Sequence, residues 1–131
     1  MEKAKRWKNS SDTIAITAAG TSDTVATVRV MDGASRLWFQ ATNSAHKVLD
    51  KFYTWVQPYS DATFHKIATT ASDYTTRIQV PILACDQDMT SLAKSTAGLV
   101  WMDVKGLYSV KFTASAATGS DTTVDYKWQV R

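Results

Sequence analysis

The chain has a single cysteine, Cys85, so no disulfide closes within it, and stability must come from packing or from neighbouring subunits. A lone thiol reads as a small buried hydrophobe. Glutamate is almost missing: Glu2 is the only one against eleven aspartates. There are two histidines, His46 and His65, and no CxxC or HExxH spacing, so no metal centre is expected. No GxxxxGK[ST] or GxGxxG occurs to cradle phosphate. Ser44, His46 and Asp50 would supply a nucleophile, base and acid, but no GxSxG elbow or oxyanion loop accompanies them. Paired carboxylates for glycoside cleavage would have to be Asp50 with Asp61, or Asp86 with Asp88, and the latter pair suits a turn better. The reading is therefore of a protein that is not an enzyme and uses no cofactor. No stretch approaches the roughly 20 apolar residues of a membrane span, and no signal-like apolar run follows Met1 to Asp12. Folding in a cytoplasm, away from membranes, is expected.

The formal net charge of +3 is not spread along the chain. Lys3, Lys5, Arg6 and Lys8 against Glu2 account for all of it, and the remainder is neutral. The charge belongs to a terminal arm and not to a folded basic face, which argues against specific nucleic-acid recognition. Residues 1–11 read as a basic N-terminal arm and residues 12–131 as one domain. Lys3, Lys5, Arg6, Trp7 and Lys8 combine charge with one aromatic anchor, and they are expected to dock on a neighbouring subunit or another acidic surface.

Threonine occurs 18 times. β-Branching costs side-chain freedom in helices, whereas strands accept threonine and the turns between them favour aspartate. Periodicity agrees. Val124, Tyr126, Trp128 and Val130 alternate with polar residues, as do Tyr108, Val110, Phe112 and Ala114. The same holds for Ala26, Val28 and Val30, and for Tyr74, Thr76, Ile78 and Val80. Period two marks half-buried antiparallel strands. Ile14 with Ile16, Leu37 to Ala41, Leu49 to Val56 and Leu99 to Val104 add further strands; the last two are apolar without a clean face. Turn signals separate these runs, among them Ala19 to Asp23, Lys105-Gly106, Ala117 to Asp121 and Asp32-Gly33, the last a hairpin signal. Short helices are expected at Ser60 to Thr69 and Asp88 to Ala93. The fold predicted is all-β: an antiparallel β-sandwich of about eight strands with one or two short helical turns, the jelly roll among its forms.

Five tryptophans are present. Trp101 and Trp128 read as core packing. Trp38 stands between Leu37 and Phe39, so one of these alternating apolar faces must lie outside a two-sheet core, and Trp38 is the candidate contact residue on it. Strand-borne Trp38 or Trp55 could equally form a sugar platform.

The segments Leu37-Trp38-Phe39-Gln40-Ala41-Thr42-Asn43, Leu49-Asp50-Lys51-Phe52, Pro58-Tyr59-Ser60-Asp61, Trp101 to Phe112 and Tyr126-Lys127-Trp128 resemble small β-sandwich structural proteins of tailed bacteriophages. The resemblance covers about two thirds of the chain, consists of strands and turns, and carries over no functional residues. It implies a virion component of decoration or cement type, or a head or tail accessory. Such a protein would bind major capsid or other virion proteins and its own copies, after assembly in the host cytoplasm. The alternative is a carbohydrate-binding sandwich module that uses exposed tryptophans.

Overall fold

The computed structural model describes residues 8–16, 23–43, 49–67, 82–85, 91–92, 96–116 and 122–131; for 8–10, 49–51, 82–85, 91–92 and 116 only the backbone is described. These residues form strands β1 (Lys8–Ile16), β2 (Asp23–Arg29), β3 (Arg36–Asn43), β4 (Leu49–Gln57), β5 (His65–Ile67), β6 (Ile82–Cys85), β7 (Ser91–Leu92), β8 (Thr96–Asp103), β9 (Ser109–Ala116) and β10 (Thr122–Val130). A front sheet runs β1-β10-β3-β8-β6, and a back sheet runs β2-β9-β4-β5 with β7 also paired to β4. All pairings are antiparallel.

The pairings nest: β1 with β10, β2 with β9, β3 with β8, and β4 with β7. These eight described strands form one long antiparallel ribbon, doubled back on itself and wrapped so that β1 to β4 fall alternately in the front and back sheets. This is jelly-roll topology. Its eight positions match the expected strand number, and β5 and β6 are short additions at sheet edges. Turns at Asp32-Gly33 and Lys105-Gly106 form as expected, with positive φ at Gly33 (81°) and Gly106 (84°). Neither closes a hairpin, because β2 and β3, like β8 and β9, lie in different sheets. Asp32-Gly33 instead turns the chain from the back layer to the front.

Alternation sorts each strand. Leu37, Phe39, Ala41 and Asn43 of β3 are buried, as are Val124, Trp128 and Val130 of β10. From the back sheet come Val28, Phe52, Val56, Val110, Phe112 and Ala114. Phe39 and Phe112 stack across the two layers at 3.9 Å, and Phe52 and Tyr126 pack around Phe39 at 6.1 and 5.9 Å. Deep between the layers, Thr122 Oγ1 donates to Asn43 Oδ1 at 2.7 Å, which satisfies a buried polar pair.

Two expected irregularities resolve differently. The unclean face of Leu49 to Val56 comes from a bulge between Asp50 and Tyr53, where the phase of alternation slips. Phe52 within the bulge, and Thr54 and Val56 past it, are buried, and Tyr53 and Trp55 are half-buried on the outer side. The helix expected over Ser60 to Thr69 is absent. Residues 58–62 turn instead, held by Gln57 Nε2 donating to the carbonyls of Ser60 and Ala62, and β5 then pairs with β4. A single isolated helical turn has a costly nucleus, whereas β5 finds a ready ladder edge and buries Ile67. Ser91 and Leu92 are likewise strand, not helix; the rest of the segment from Asp88 to Ala93 lies outside the described residues. So does the strand expected at Tyr74 to Val80, along with the turns at Ala19 to Ser22 and Ala117 to Asp121. The described residues contain no helix long and apolar enough to cross a membrane.

Candidate functional site

Because β10 and β3 bury their even- and odd-numbered residues respectively, the outward residues of the front sheet form rows across strands. One row is Asn9, Gln129, Trp38 and Trp101; the row before it holds Arg36 and Asp103. Arg131, just past β10, exchanges backbone hydrogen bonds with Arg36 at 2.9 and 3.0 Å, so two arginines stand side by side at one corner of the sheet.

Their guanidinium groups lie over the tryptophans. Arg36 Cζ is 5.2 Å from the Trp101 ring centre and Arg131 Cζ is 5.1 Å from that of Trp38. The two indoles stack with centroids 5.8 Å apart and planes 14° from parallel. Both are half-buried on the outer face. Beside them is a shallow hollow of about 350 Å³ lined by Ser11, Trp38, Gln40, Leu99, Lys127 and Gln129, with Trp128 at its floor. The indole N–H of Trp101 is buried with no acceptor among the described residues, at a cost of about 1–3 kcal/mol.

Trp38 thus stands on the outer face, and Trp128 is core at 8% exposure. Trp101 departs from the sequence reading: it faces outward, because Val100, Met102 and Val104 take the inward positions of that segment. The same two-residue alternation could have found it. Arg36 sits two residues before Trp38 and Arg131 two after Gln129, so period two also places them outward, although charge at a strand end is an ordinary feature of any sheet.

Of the arm, Lys8 to Ser11 belong to β1, with Lys8 opposite Val130. The strand begins before the boundary drawn from composition, because the ladder to β10 recruits polar residues that alternation cannot recognise. Lys3, Lys5, Arg6 and Trp7 lie outside the described residues. The register places the start of β1 at the end of the sheet where Arg36 and Arg131 lie, two strands or about 10 Å from β3.

On the other edge of this face Thr13 Oγ1 donates to Asp125. The neighbouring Tyr126 phenol is raised above its ordinary value of 10.0 by burial and then by the negative charge of Asp12. Ser44, His46, Asp86 and Asp88 lie outside the described residues, and His65 and Asp61 are exposed and far from this cluster in the ladder. Among the described residues, no three His, Cys, Asp or Glu side chains are placed to hold a metal ion. No family model, curated protein or solved structure matches the chain.

Proposed function

We propose that this protein is a non-enzymatic structural component of a particle, docking through the outer face of its front sheet on neighbouring subunits and on its own copies. One observation carries the reading: Trp38 and Trp101 stack on an outward sheet face with Arg36 and Arg131 laid over them. Tryptophan and arginine are the residues most enriched where truncation costs protein interfaces most. The virion assignment, as a decoration or cement protein on major capsid or other virion proteins, rests on the bacteriophage resemblance. Jelly rolls recur in viral capsid and lectin domains, which is fold-level analogy and adds support only of that kind. The basic arm, leaving near the same corner, supplies charge for an acidic neighbour. Repetition over a lattice would raise occupancy without any single strong site.

The carbohydrate reading draws less support. A neutral sugar would have to displace the guanidinium from each front-face indole with no charge to receive it, whereas a protein partner can pack on the stack as it stands.

Trp38→Ala tests the proposal. Trp38 is partly covered by its stack with Trp101 and by Arg131, so the monomer should lose about 1–2 kcal/mol, below the 3–5 kcal/mol of a core tryptophan. Self-association by sedimentation, and retention on purified particles, should weaken by about 2 kcal/mol or more, roughly thirtyfold. Equal losses in fold and assembly would make Trp38 a packing residue. A glycan array with strong hits abolished by the same substitution would favour the carbohydrate module.

A further inference from the structure

The back sheet carries a second aromatic cluster, and its chemistry differs from that of the front. The registers place Trp55 opposite Lys111 of β9 on one side and opposite Lys66 of β5 on the other. Lys111 Nζ lies 5.3 Å from the Trp55 ring centre and 4.4 Å from that of Phe64, and Lys66 Nζ lies 4.2 Å over Tyr53. Trp55 Nε1 donates to Thr113 Oγ1 at 2.9 Å, which fixes the plane of the indole by its edge and leaves its faces to other contacts.

Among the described side chains at outward positions of β2, β4, β5 and β9, the charged ones are Arg29, Lys66 and Lys111, all basic. Asp50 stands at the far end of β4, opposite Ser115 and about 15 Å along the strand from Trp55. Several neutral polar groups of the face are already engaged within the chain. Ser109 Oγ donates to the Val28 carbonyl at 3.2 Å, Gln57 Nε2 is held by Ser60 and Ala62, and Thr113 accepts from Trp55. What this cluster offers a ligand is ammonium groups, and the partly exposed ring faces those ammonium groups now cover.

We propose that this face binds single-stranded nucleic acid without sequence preference, bases on the rings of Tyr53, Trp55 and Phe64 and phosphates on Lys66 and Lys111. Same-face residues two apart on a strand are separated by about 6.6 Å, so Tyr53 and Trp55 present a pair of rings in line along β4. Stacking on aromatic side chains beside a cationic track is the general chemistry of sequence-tolerant single-strand binding. In that exchange the lysines leave the rings for phosphate and the bases take their place. An acidic polysaccharide would match the charge but has no planar bases to stack on the three rings, and it is an outcome of the test.

The test is anisotropy of a labelled oligothymidylate with the full chain. Two phosphate contacts give a salt slope of about −1.4, or about a sevenfold loss of affinity between 50 and 200 mM salt. Lys66→Ala with Lys111→Ala should lower affinity at least tenfold with the fold intact by near-ultraviolet circular dichroism. The Lys66→Arg, Lys111→Arg pair should keep binding, and Trp55→Phe should remove most of the indole quenching caused by the oligonucleotide. Trp38→Ala should bind as the parent does, so failure of the front-face reading and failure of this one are distinguishable. The proposal is overturned by no binding at low salt or by binding indifferent to the double alanine substitution. It is equally overturned if affinity is lost only when Lys3, Lys5 and Arg6 are made alanine, or if a sulfated or uronic polysaccharide binds this face more tightly than the oligonucleotide.

Discussion

Tyr126 shows how one side chain ties the core to the surface. Its ring packs on Phe39 at 5.9 Å while its phenol lies within the field of Asp12. Burial and that negative charge both disfavour tyrosinate, so the folded-state value lies above the unfolded value. A raised value means the folded chain holds its proton more tightly. The associated stability is fully present below pH 10 and is lost as pH rises through the folded-state value. Stability to urea should therefore fall above about pH 10, and Tyr126→Phe should flatten that part of the profile. Asp12→Asn should move the tyrosinate absorbance titration of this residue toward its ordinary value; an unmoved titration would remove Asp12 as a cause. At this scale the described tryptophans divide by alternation alone: Trp128 inward, Trp38, Trp55 and Trp101 outward. Alternation was legible from the sequence for Trp38. For Trp101 it was outweighed by the expectation that a large indole belongs in a core.

Among elements, the turns decide more than their sequences declare. Gly106 adopts φ of 84°, and a Cβ built there meets nothing within 4 Å. Gly106→Ala should thus cost about 1–2 kcal/mol from backbone conformation alone, and Gly106→Asn less, since asparagine tolerates the left-handed region. Urea unfolding of the two variants checks the order; equal costs would point to a steric cause. Asp32-Gly33 and Lys105-Gly106 were legible as turns, yet not as corners between layers. A turn residue reports its own φ and not the partner of the strand that follows. The segment after Pro58 failed as a helix for the same reason: the free edge of β4, which captures His65–Ile67, is a long-range fact.

For the whole molecule, the ribbon closes only when its ends meet. Lys8 pairs with Val130, and β10 stands between β1 and β3 in the front sheet. Loop-closure entropy must be met before these contacts form. Folding should accordingly take milliseconds to seconds, as for other β-sandwiches of high contact order. Stopped-flow tryptophan fluorescence measures this, and a single sub-millisecond phase would contradict the nested pairing. The same closure leaves the sandwich two outer faces, the front with stacked indoles and arginines, the back with lysines over aromatic rings.

By itself the sequence determined the all-β class, the clean-alternation strands at Ala26 to Val30, Val110 to Ala114 and Val124 to Val130, the turns at Asp32-Gly33 and Lys105-Gly106, and the outward stance of Trp38, because these follow from backbone preference and a period of two residues. Only the tertiary structure decided which strands pair and where the ribbon doubles back. It also decided that Arg36 and Arg131 meet over the Trp38–Trp101 stack, and that Lys66 and Lys111 flank Trp55. Those groupings join residues from distant strands, and their register is set by the packing of the two layers rather than by any local preference of the chain.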